Sequence, residues 1–188
     1  MTKQELRKIY FQKRLALTDR EYEQMSAKLC ESFFAHVDLS GVRILHIFLP
    51  IKKNREPDTW LIIDRIKKEH PGIRITVPKI TDTGAMESYF LEENNLALST
   101  WGIPEPKGGT LTDPAAIDLV VVPLLVVDKK GHRIGYGKGF YDRFLPQCSG
   151  NGKRIGLSFF DPIDEISGLF EHDLPLHGCV LTNGWLKY

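Results

Sequence analysis

The sequence predicts an α/β fold: a three-layer α/β/α sandwich with a mostly parallel, Rossmann-like central sheet and additional N-terminal helices. Two amphipathic helical segments begin the chain, and short apolar runs then alternate with further helical segments. One run, Leu119–Val127, is almost wholly apolar, which is typical of a strand covered on both faces. Because alternating strands and helices build parallel sheets, these observations favour the sandwich. The length of 188 residues predicts one domain over residues 1–188.

The two N-terminal helices are predicted from their capping residues. The segment Lys3–Leu17 follows Thr2, whose side chain suits the N-cap position. A second helix is predicted to begin at Thr18, because Glu21 three residues later completes the spacing of a capping box, and to extend to about His36. Both segments carry apolar residues at helical spacing, so each is expected to bury one face.

The other elements follow from apolar runs and turn residues. Strands are predicted at Arg43–Leu49, Ile73–Val77, Glu87–Leu91, Leu119–Val127, Arg154–Phe159 and Gly178–Leu181. Proline is expected to end the second of these strands at Pro78, and residues 101–106 are expected to be irregular. Two more helices are predicted at about 57–70 and 139–145.

The charge balance excludes several function classes. Twenty-five Lys and Arg against 24 Asp and Glu give a net charge of +1, whereas proteins that bind nucleic acid usually carry a strong basic excess. We therefore expect no nucleic-acid partner and no membrane attachment. The three cysteines match no zinc or thioredoxin spacing, and the N-terminal segment lacks the apolar core of a signal peptide. These features predict a cytoplasmic protein, and we expect it to be a monomer.

The most informative segment is Gly131–Arg143, GHRIGYGKGFYDR, which follows the buried strand and opens a helix. Glycines let the backbone approach a ligand closely, N–H groups at a helix start favour an anion, and Lys138 adds positive charge. The segment therefore predicts a phosphate-binding loop. It is not a P-loop, because five residues rather than four separate Gly131 from Gly137. It is not a dinucleotide fingerprint either, because that pattern needs a small residue at Phe140. A glycine-rich turn packed under a helix is the alternative interpretation.

Charged residues elsewhere point to the same kind of site. At 100° per residue, Lys3, Arg7 and Arg14 fall within an arc of roughly 40° on the first helix, so they either face phosphates or form a solvated surface. Asp142 lies in the first turn of the fourth helix, where it is either a Mg²⁺ ligand or a partner of the helix dipole. Glu56 follows the first strand and offers one carboxylate to orient a flat heterocycle.

Aromatic and apolar residues near strand ends and in loops complete the candidate set, which consists of Phe48, Leu49, Trp101, Phe140 and Tyr141. Such residues either line a slot for a flat ring or belong to the core.

The stretch Val122–Leu145 resembles the signature of the 5-formyltetrahydrofolate cyclo-ligase family, also named 5,10-methenyltetrahydrofolate synthetases. Further marks of the family occur in the same order over most of the chain: Lys3 with Arg7, FLP at 48–50, EPDT at 56–59, WGIPEP at 101–106, and His172 with Asp173. The resemblance implies that 5-formyltetrahydrofolate, a reduced folate, is closed to 5,10-methenyltetrahydrofolate with ATP as co-substrate and Mg²⁺ as cofactor. ADP and phosphate would be released after a phosphorylated formyl (imidate) intermediate.

The resemblance also implies roles for individual residues. Lys138 would be catalytic and would stabilise charge on the transferring phosphoryl group. The ATP-binding residues would be Lys3, Arg7, Arg133, Ile134, Gly135, Tyr136, Gly137, Lys138, Gly139, Phe140 and Tyr141. The substrate-binding residues would be Phe48, Leu49, Glu56, Trp101, Tyr136 and Phe140, with Glu56 orienting the pterin. Asp142 and Asp173 would bind the metal.

One departure and two alternatives accompany this interpretation. Tyr136 stands where some relatives have arginine, so a second cationic contact is expected to be absent at that point. Because a fold does not dictate a substrate, another ATP-dependent enzyme on the same scaffold stays open, as does a non-catalytic nucleotide- or folate-binding protein. The combination of Lys138 with two metal carboxylates favours an enzyme, since binding alone would not require the carboxylates.

Overall fold

A central sheet of seven strands organises the protein. The computed structural model describes residues 1–99, 102–170 and 173–188. The α-helices are α1 (Lys3–Leu15), α2 (Asp19–His36), α3 (Trp60–Glu69) and α4 (Phe140–Phe144). The strands are β1 (Ile44–Ile47), β2 (Arg74–Ile80), β3 (Met86–Phe90), β4 (Leu96–Leu98), β5 (Pro104–Pro106), β6 (Leu119–Val122), β7 (Val126–Val127), β8 (Arg133–Ile134), β9 (Lys153–Ser158), β10 (Gly178–Leu181) and β11 (Gly184–Lys187).

The sheet is parallel in its centre and antiparallel at both edges. Its strand order is β11-β10-β9-β6-β1-β2-β3. The four inner pairs, from β10–β9 to β1–β2, are parallel, whereas β11 and β3 pair antiparallel with their neighbours. Two small antiparallel pairs, β4–β5 and β7–β8, lie outside this sheet. The predicted α/β architecture with a mostly parallel sheet is confirmed.

Helices cover both faces of the sheet. On one face α2 and α3 bury Leu29, Phe33 and Ile63 against Ile47 and Val121 of the strands. On the other face, the short α4 buries Phe144, and the 3-10 turn Leu145–Gln147 that follows it buries Leu145, both against Val120 and Val122. Burial of side chains of this size stabilises the fold by about 1.5–3 kcal/mol each. This double coverage is why β6 is apolar on both faces.

The first helix has a different position. α1 packs Leu6 and Tyr10 against Val126 of β7 and Ile134 of β8, to one side of the sheet layers. Both N-terminal helices begin with a capping box, as the second was predicted to do: Thr2 pairs with Glu5, and Thr18 pairs with Glu21. No helix in the described part of the chain is long and apolar enough to cross a membrane.

Three sequence predictions about strands are wrong in detail. The run Leu119–Val127 is not one strand, because Pro123 cannot continue a central ladder and β6 ends one residue earlier. By contrast, Pro78 does not end β2, because the pairing of β2 with β1 stops at Thr76, so a missing N–H is tolerated beyond that point. Residues 104–106, expected to be irregular, form β5, and β11 was not predicted.

Candidate functional site

The candidate site lies at the carboxyl ends of two neighbouring parallel strands, β1 and β6. The chain leaves β1 through α3 toward β2, on one side, and leaves β6 toward β9, on the other side. The two connections diverge here, and open α/β sheets bind ligands at such a switch point. Phe48 and Leu49 follow β1, Pro123 follows β6, and all three line a cavity of about 450 Å³.

The cavity brings together candidate site residues that were predicted from distant segments of the sequence. Its lining includes Lys3, Arg7, Phe48, Leu49, Glu56, Arg133, Ile134, Gly135, Tyr136, Gly137, Lys138, Gly139, Phe140, Tyr141, Asp142 and Asp173. Trp101, also nominated, lies outside the described residues, as does His172. The described candidates therefore converge on one site, with charged groups contributed by α1 and the glycine loop.

The glycine loop comes later in the chain than Pro123, the residue at which the apolar run Leu119–Val127 is interrupted. The chain forms the β7–β8 hairpin, whose turn closes at Gly131, and then crosses the cavity as Gly135–Gly139 before α4. Gly137 has a φ of +85°, a left-handed conformation that disfavours any side chain. A Cβ there would lie 2.9 Å from Cζ of Arg7. Glycine is thus favoured at this position by its conformation and by the close approach of a guanidinium.

The cationic strip of α1 faces this loop rather than solvent, and its contact with phosphates stays a prediction. Nε of Arg7 donates to the carbonyl of Gly135 at 2.9 Å. Nζ of Lys3 lies 2.5 Å from Oδ2 of Asp173, which also accepts the N–H of Phe170 at 2.8 Å. Arg14 contacts Tyr136 of the loop. The helix therefore presents its positive charge to the cavity wall rather than to solvent.

Two carboxylates of the cavity are held by two of its cations. Asp142 accepts from Arg133 at 2.6 Å, and Asp173 accepts from Lys3. Hard oxygen ligands of this kind suit Mg²⁺, which typically uses one or two protein carboxylates together with substrate phosphates. The two side chains fit that donor set. Among the described residues, no group of three or more His, Cys, Asp or Glu could hold a metal alone.

Glu56 is buried in the wall on the other side of the cavity, with 3% of its surface exposed. It follows a 3-10 turn, Lys52–Asn54, and Arg55, which has a left-handed conformation with a φ of +49°. This bend brings Oε2 of Glu56 to 2.7 Å from the N–H of Ile51, which closes the loop. Burial raises the pKa of the Glu56 carboxyl, while the charge of Arg14, the Ile51 N–H and the Tyr136 hydroxyl oppose the rise.

Tyr136 carries no charge of its own, as predicted, but a cation lies directly behind it. Its hydroxyl accepts a hydrogen bond from Arg14. Arg14 is not among the residues that line the cavity, so the expectation that a second cationic contact is absent at this point stays a prediction. The charge comes from α1, a segment more than 120 residues away in sequence, and it lies behind the tyrosine.

A buried polar group lies beneath the cavity floor. His46 of β1 is fully buried, with Nδ1 at 2.9 Å from Oγ of Ser88 and Nε2 at 3.3 Å from the hydroxyl of Tyr141. Burial lowers the pKa of the His46 imidazole to about 3, so the ring is neutral at physiological pH. Burial likewise raises the pKa of the Tyr141 phenol. This network could not be predicted from the sequence, because one histidine in an apolar strand forms no pattern.

Several lining residues were also missed. They are Ile51, Lys53, Asn54, Pro78, Ile80, Met86, Ile103, Glu105 and Pro123. Most are apolar or lie in loops, where sequence alone does not distinguish a cavity wall from a core. Glu105 carried a signal, since it is a carboxylate between two prolines, and it is 8% exposed with its pKa raised by burial.

The arrangement has two chemically different halves. Lys3, Arg7, Arg133 and Lys138 surround the glycine loop and suit a polyanion such as a chain of phosphates. Near Glu56 the lining combines apolar side chains such as Phe48 and Leu49 with Lys53 and Asn54, and the buried Glu56 carboxylate suits a flat ring that carries N–H donors. A cavity of this construction can hold both groups side by side.

Comparisons with known proteins agree with this geometry. A family model for the 5-formyltetrahydrofolate cyclo-ligase family matches residues 1–157. The 5-formyltetrahydrofolate cyclo-ligase of Mycoplasma genitalium is 30% identical over 159 residues, which cover 84% of this chain and 84% of that protein. The Escherichia coli K12 enzyme of the same name is 27% identical over 175 residues, or 90% of this chain and 94% of that protein.

A solved structure extends the likeness to three dimensions. The NMR structure of Aquifex aeolicus 5,10-methenyltetrahydrofolate synthetase matches with a TM-score of 0.84 at 26% identity, and covers 100% of this chain and 93% of that one. With the family match over most of the chain, the chain belongs to the 5-formyltetrahydrofolate cyclo-ligase family of enzymes.

Proposed function

We propose that the protein converts 5-formyltetrahydrofolate to 5,10-methenyltetrahydrofolate with consumption of ATP, in the cavity at the ends of β1 and β6. One observation carries the proposal: in a chain of this family, the cationic glycine loop and the buried carboxylate Glu56 line the same cavity. The loop supplies charge for a triphosphate, and the carboxylate supplies acceptors for the N–H groups of a pterin. Both substrates would then meet with their reacting ends together.

The proposed reaction has three balanced steps. The formyl oxygen on N5 attacks the γ-phosphorus of ATP, the bond to the β-phosphate oxygen breaks, and ADP leaves. Nitrogen 10 then attacks the activated formyl carbon and loses its proton. Inorganic phosphate departs with the former formyl oxygen, which leaves the methenyl bridge. Phosphorylation is needed because a formamide oxygen is otherwise a very poor leaving group.

The phosphate side is proposed to act mainly by position and charge. Lys3, Arg7 and Arg133 would bind phosphate oxygens, together with backbone N–H groups of the loop. Lys138 is proposed to stabilise the charge that spreads over the transferring phosphoryl group, because such reactions depend chiefly on alignment and electrostatic stabilisation. The phosphate-binding role of Lys3 and Arg133 is supported by their ion pairs, which hold both cations at the cavity. Lys3 pairs with Asp173, and Arg133 pairs with Asp142.

Asp142 and Asp173 are proposed as the protein ligands of Mg²⁺. When bound, this ion would neutralise phosphate charge and orient the triphosphate. The protein's own contribution is to keep two carboxylates at the cation-lined end of the cavity. Their present partners, Arg133 and Lys3, keep both side chains oriented into the lining.

The folate side is proposed to hold the pterin by its flat faces and its N–H edge. Phe48, Leu49 and Phe140 would pack against the ring, with Tyr136 at the boundary to the phosphates. Glu56 would accept from the ring's N–H groups. Trp101, outside the described residues, completes the proposal from the sequence alone.

The test mixes the purified protein with 5-formyltetrahydrofolate and MgATP and follows methenyl absorbance and ADP release together. We expect both products in equal amounts, with none when ATP is omitted. Folded protein that forms no chromophore would refute the proposal. Folate binding without turnover would favour the non-catalytic alternative, and ATP hydrolysis that needs a different substrate would favour another enzyme on this scaffold.

The cellular compartment and the oligomeric state are also part of the proposal. The three cysteines are unpaired, which suits a reducing compartment, and we propose that the protein acts in the cytoplasm. We also propose that it acts as a monomer on two small molecules, reduced folate and ATP, because the lining needs only residues of one chain. Light scattering at working concentration tests the monomer directly.

A further inference from the structure

The short helix α4 carries candidate site residues, yet little within the helix itself holds it in place. It spans only five residues, Phe140–Phe144, and its N-cap residue Gly139 offers no side-chain hydrogen bond to the first turn. Helices this short are not stable by themselves in water, so contacts with the rest of the fold must fix both the position and the rotation of α4. The rotation matters because Phe140, Tyr141 and Asp142 all line the cavity.

One buried side chain, His46 of β1, contacts two residues of α4. Nε2 of His46 lies 3.3 Å from the hydroxyl of Tyr141, and the centroid of the imidazole lies 4.9 Å from the ring centroid of Phe144. Residues 141 and 144 are three apart, so they lie on the same face of the helix. His46 therefore contacts the inner face of α4 at two points, one polar and one apolar, which together determine how the helix is rotated.

Ser88 of β3 holds the other edge of the imidazole. Nδ1 of His46 lies 2.9 Å from Oγ of Ser88 and 3.4 Å from Oγ1 of Thr76, and both of these residues are buried. Because burial lowers its pKa, the imidazole is neutral and has one donor and one acceptor. It can therefore bridge the hydroxyl groups of Ser88 and Tyr141, which makes a polar chain from the sheet to α4.

Packing alone does not account for a histidine at this position. His46 pairs with Val120 of β6, which belongs to the same core cluster as Phe144. Val120 shows that an apolar side chain suits this layer, and an apolar side chain would avoid the cost of burying polar atoms. A hydrogen bond is directional, whereas apolar contact is not, so the imidazole adds control of orientation.

We propose that His46, braced by Ser88, is a positioning residue that sets the rotation of α4 through the hydroxyl of Tyr141. Successive helix residues are rotated by about 100°, so a fixed Tyr141 directs the next side chain, Asp142, to its partner Arg133 at the phosphate end of the cavity. The inference rests on the proposed function where it concerns MgATP, because Asp142 and the adjoining glycine loop are proposed to act there. The anchoring of α4 itself does not depend on any ligand.

The first experiment measures this anchoring by amide hydrogen exchange of the full chain without ligand, followed by NMR. The N–H of Arg143 donates to the carbonyl of Gly139. The N–H of Leu145 donates to the carbonyl of Tyr141, so the two amides report opening of α4. His46→Leu removes the ring nitrogens and keeps an apolar side chain. Exchange of both amides should become about 2- to 10-fold faster, the change that corresponds to loss of one neutral hydrogen bond.

The second experiment measures the steady-state kinetics of the same variant. The KM for MgATP should rise by about the same factor, because only the correctly rotated fraction of the molecules is competent to bind. The kcat at saturating MgATP should change less, since bound ligand favours that rotation. A role confined to overall stability would lower the free energy of unfolding without this difference between KM and kcat.

Three further variants separate positioning from general destabilisation. His46→Gln places an amide near the position of Nε2, so its exchange rates and KM should lie closer to those of the wild type than the His46→Leu values do. Ser88→Ala should act in the same direction as His46→Leu but less strongly, because Thr76 offers Nδ1 a second hydroxyl. The matched control is Ser32→Ala on α2, which also removes a buried serine hydroxyl from a hydrogen bond of 2.9 Å, here to the carbonyl of Gly184. It should leave the exchange of the two amides and the KM for MgATP unchanged.

Each outcome supports or overturns the inference. If folded His46→Leu exchanges both amides at the wild-type rate, His46 does not anchor α4 and the inference is wrong. It is equally wrong if exchange becomes faster while the KM for MgATP stays the same, because the anchored rotation then does not serve the cavity. If His46→Leu does not fold, Tyr141→Phe, which removes only the hydroxyl of the contact, decides by the same exchange rates. A wild type that consumes no MgATP with 5-formyltetrahydrofolate refutes the proposed function instead, and the exchange rates, measured without ligand, still show whether His46 anchors α4.

Discussion

The glycine loop offers a sharp test of the phosphate site through Gly137→Ala. The residue has a φ of +85°, and an added Cβ would lie 2.9 Å from Cζ and 3.2 Å from Nε of Arg7. A left-handed conformation at a non-glycine residue costs roughly 1–2 kcal/mol. The steric contact is with the end of a flexible side chain, so Arg7 can relieve it by moving. The free energy of unfolding should therefore fall mainly by the backbone amount, because Arg7 is partly exposed and water can replace a hydrogen-bond partner that it loses.

The consequence for function should be larger than the consequence for stability. If Arg7 moves, it loses its bond to the Gly135 carbonyl and its proposed place on the phosphates. A hydrogen bond to a charged group contributes about 1.5–3 kcal/mol, so the KM for ATP should rise about 10- to 150-fold. The melting temperature should fall by only about 2–8 °C, given the usual relation for a chain of this size.

The matched control is Gly41→Ala. Gly41 has a φ of +76° with nothing within 4 Å of an added Cβ, and it does not line the cavity. It should lose the same stability and retain the KM for ATP. Thermal unfolding and the methenyl absorbance assay measure the two quantities. A Gly137→Ala enzyme with the melting shift of the control and an unchanged KM for ATP would show that Arg7 does not bind phosphate.

Four other changes test separate groups. Lys138→Ala should lower kcat by about 100-fold or more with a much smaller effect on folate binding, as for loss of one group that stabilises transition-state charge; an unchanged kcat would remove Lys138 from that role. Asp142→Asn should raise the Mg²⁺ concentration needed for half-maximal rate and should also lower stability, because the Asp142 carboxylate pairs with the largely buried Arg133. A normal Mg²⁺ titration would leave Asp142 only its ion pair and the interaction with the helix dipole. Glu56→Gln should gain stability relative to the wild type as pH rises above about 4.5, because burial raises the pKa of Glu56 in the folded state and its ionisation then opposes folding. Denaturant unfolding at pH 4 and pH 7 measures the difference in unfolding free energy between variant and wild type, and a difference that is the same at both pH values contradicts the prediction. In His46→Gln, the free energy of unfolding should fall less steeply with falling pH than in the wild type. A folded-state pKa of about 3 costs the wild type up to about 1.4 kcal/mol per pH unit between pH 6.5 and pH 3. An identical pH dependence of the unfolding free energy in the two proteins would contradict this.

The parts of the fold that the sequence predicted well depend on local chemistry. The start of α2 was predicted at Thr18 because Thr18 and Glu21 are three residues apart; Thr18 is the N-cap of the helix, and the mutual bonds of the two residues are observed. The sequence did not reveal β5, because prolines at both ends hide a strand that pairs with its own neighbour. Residues such as Pro123 were read as part of an apolar run, although the missing N–H of proline already argued for a break there.

Some features of the candidate site could likewise be predicted from local sequence, whereas others depend on contacts between distant segments. The cationic loop is contiguous, so its residues could be found together. The burial of Arg14 could not, because its three acceptors, Asn54, Leu124 and Tyr136, come from segments that only the tertiary fold brings together. The sequence placed Arg14 on a cationic strip and could not tell that this member of the strip faces the interior.

The pairing of charges explains how a nearly neutral chain would select a polyanion. Lys3 is bonded to Asp173 and Arg133 to Asp142, so these cations have carboxylate partners before any ligand arrives. Under the proposed function, phosphate oxygens offer the two cations new partners, and a divalent cation offers the same to the two carboxylates. Such an exchange keeps all four charges paired, whereas phosphate alone would take the cationic partners away from two partly exposed carboxylates. Binding should therefore favour nucleotide that carries its metal, and this preference follows from which groups are paired in the cavity rather than from the net charge of the whole chain.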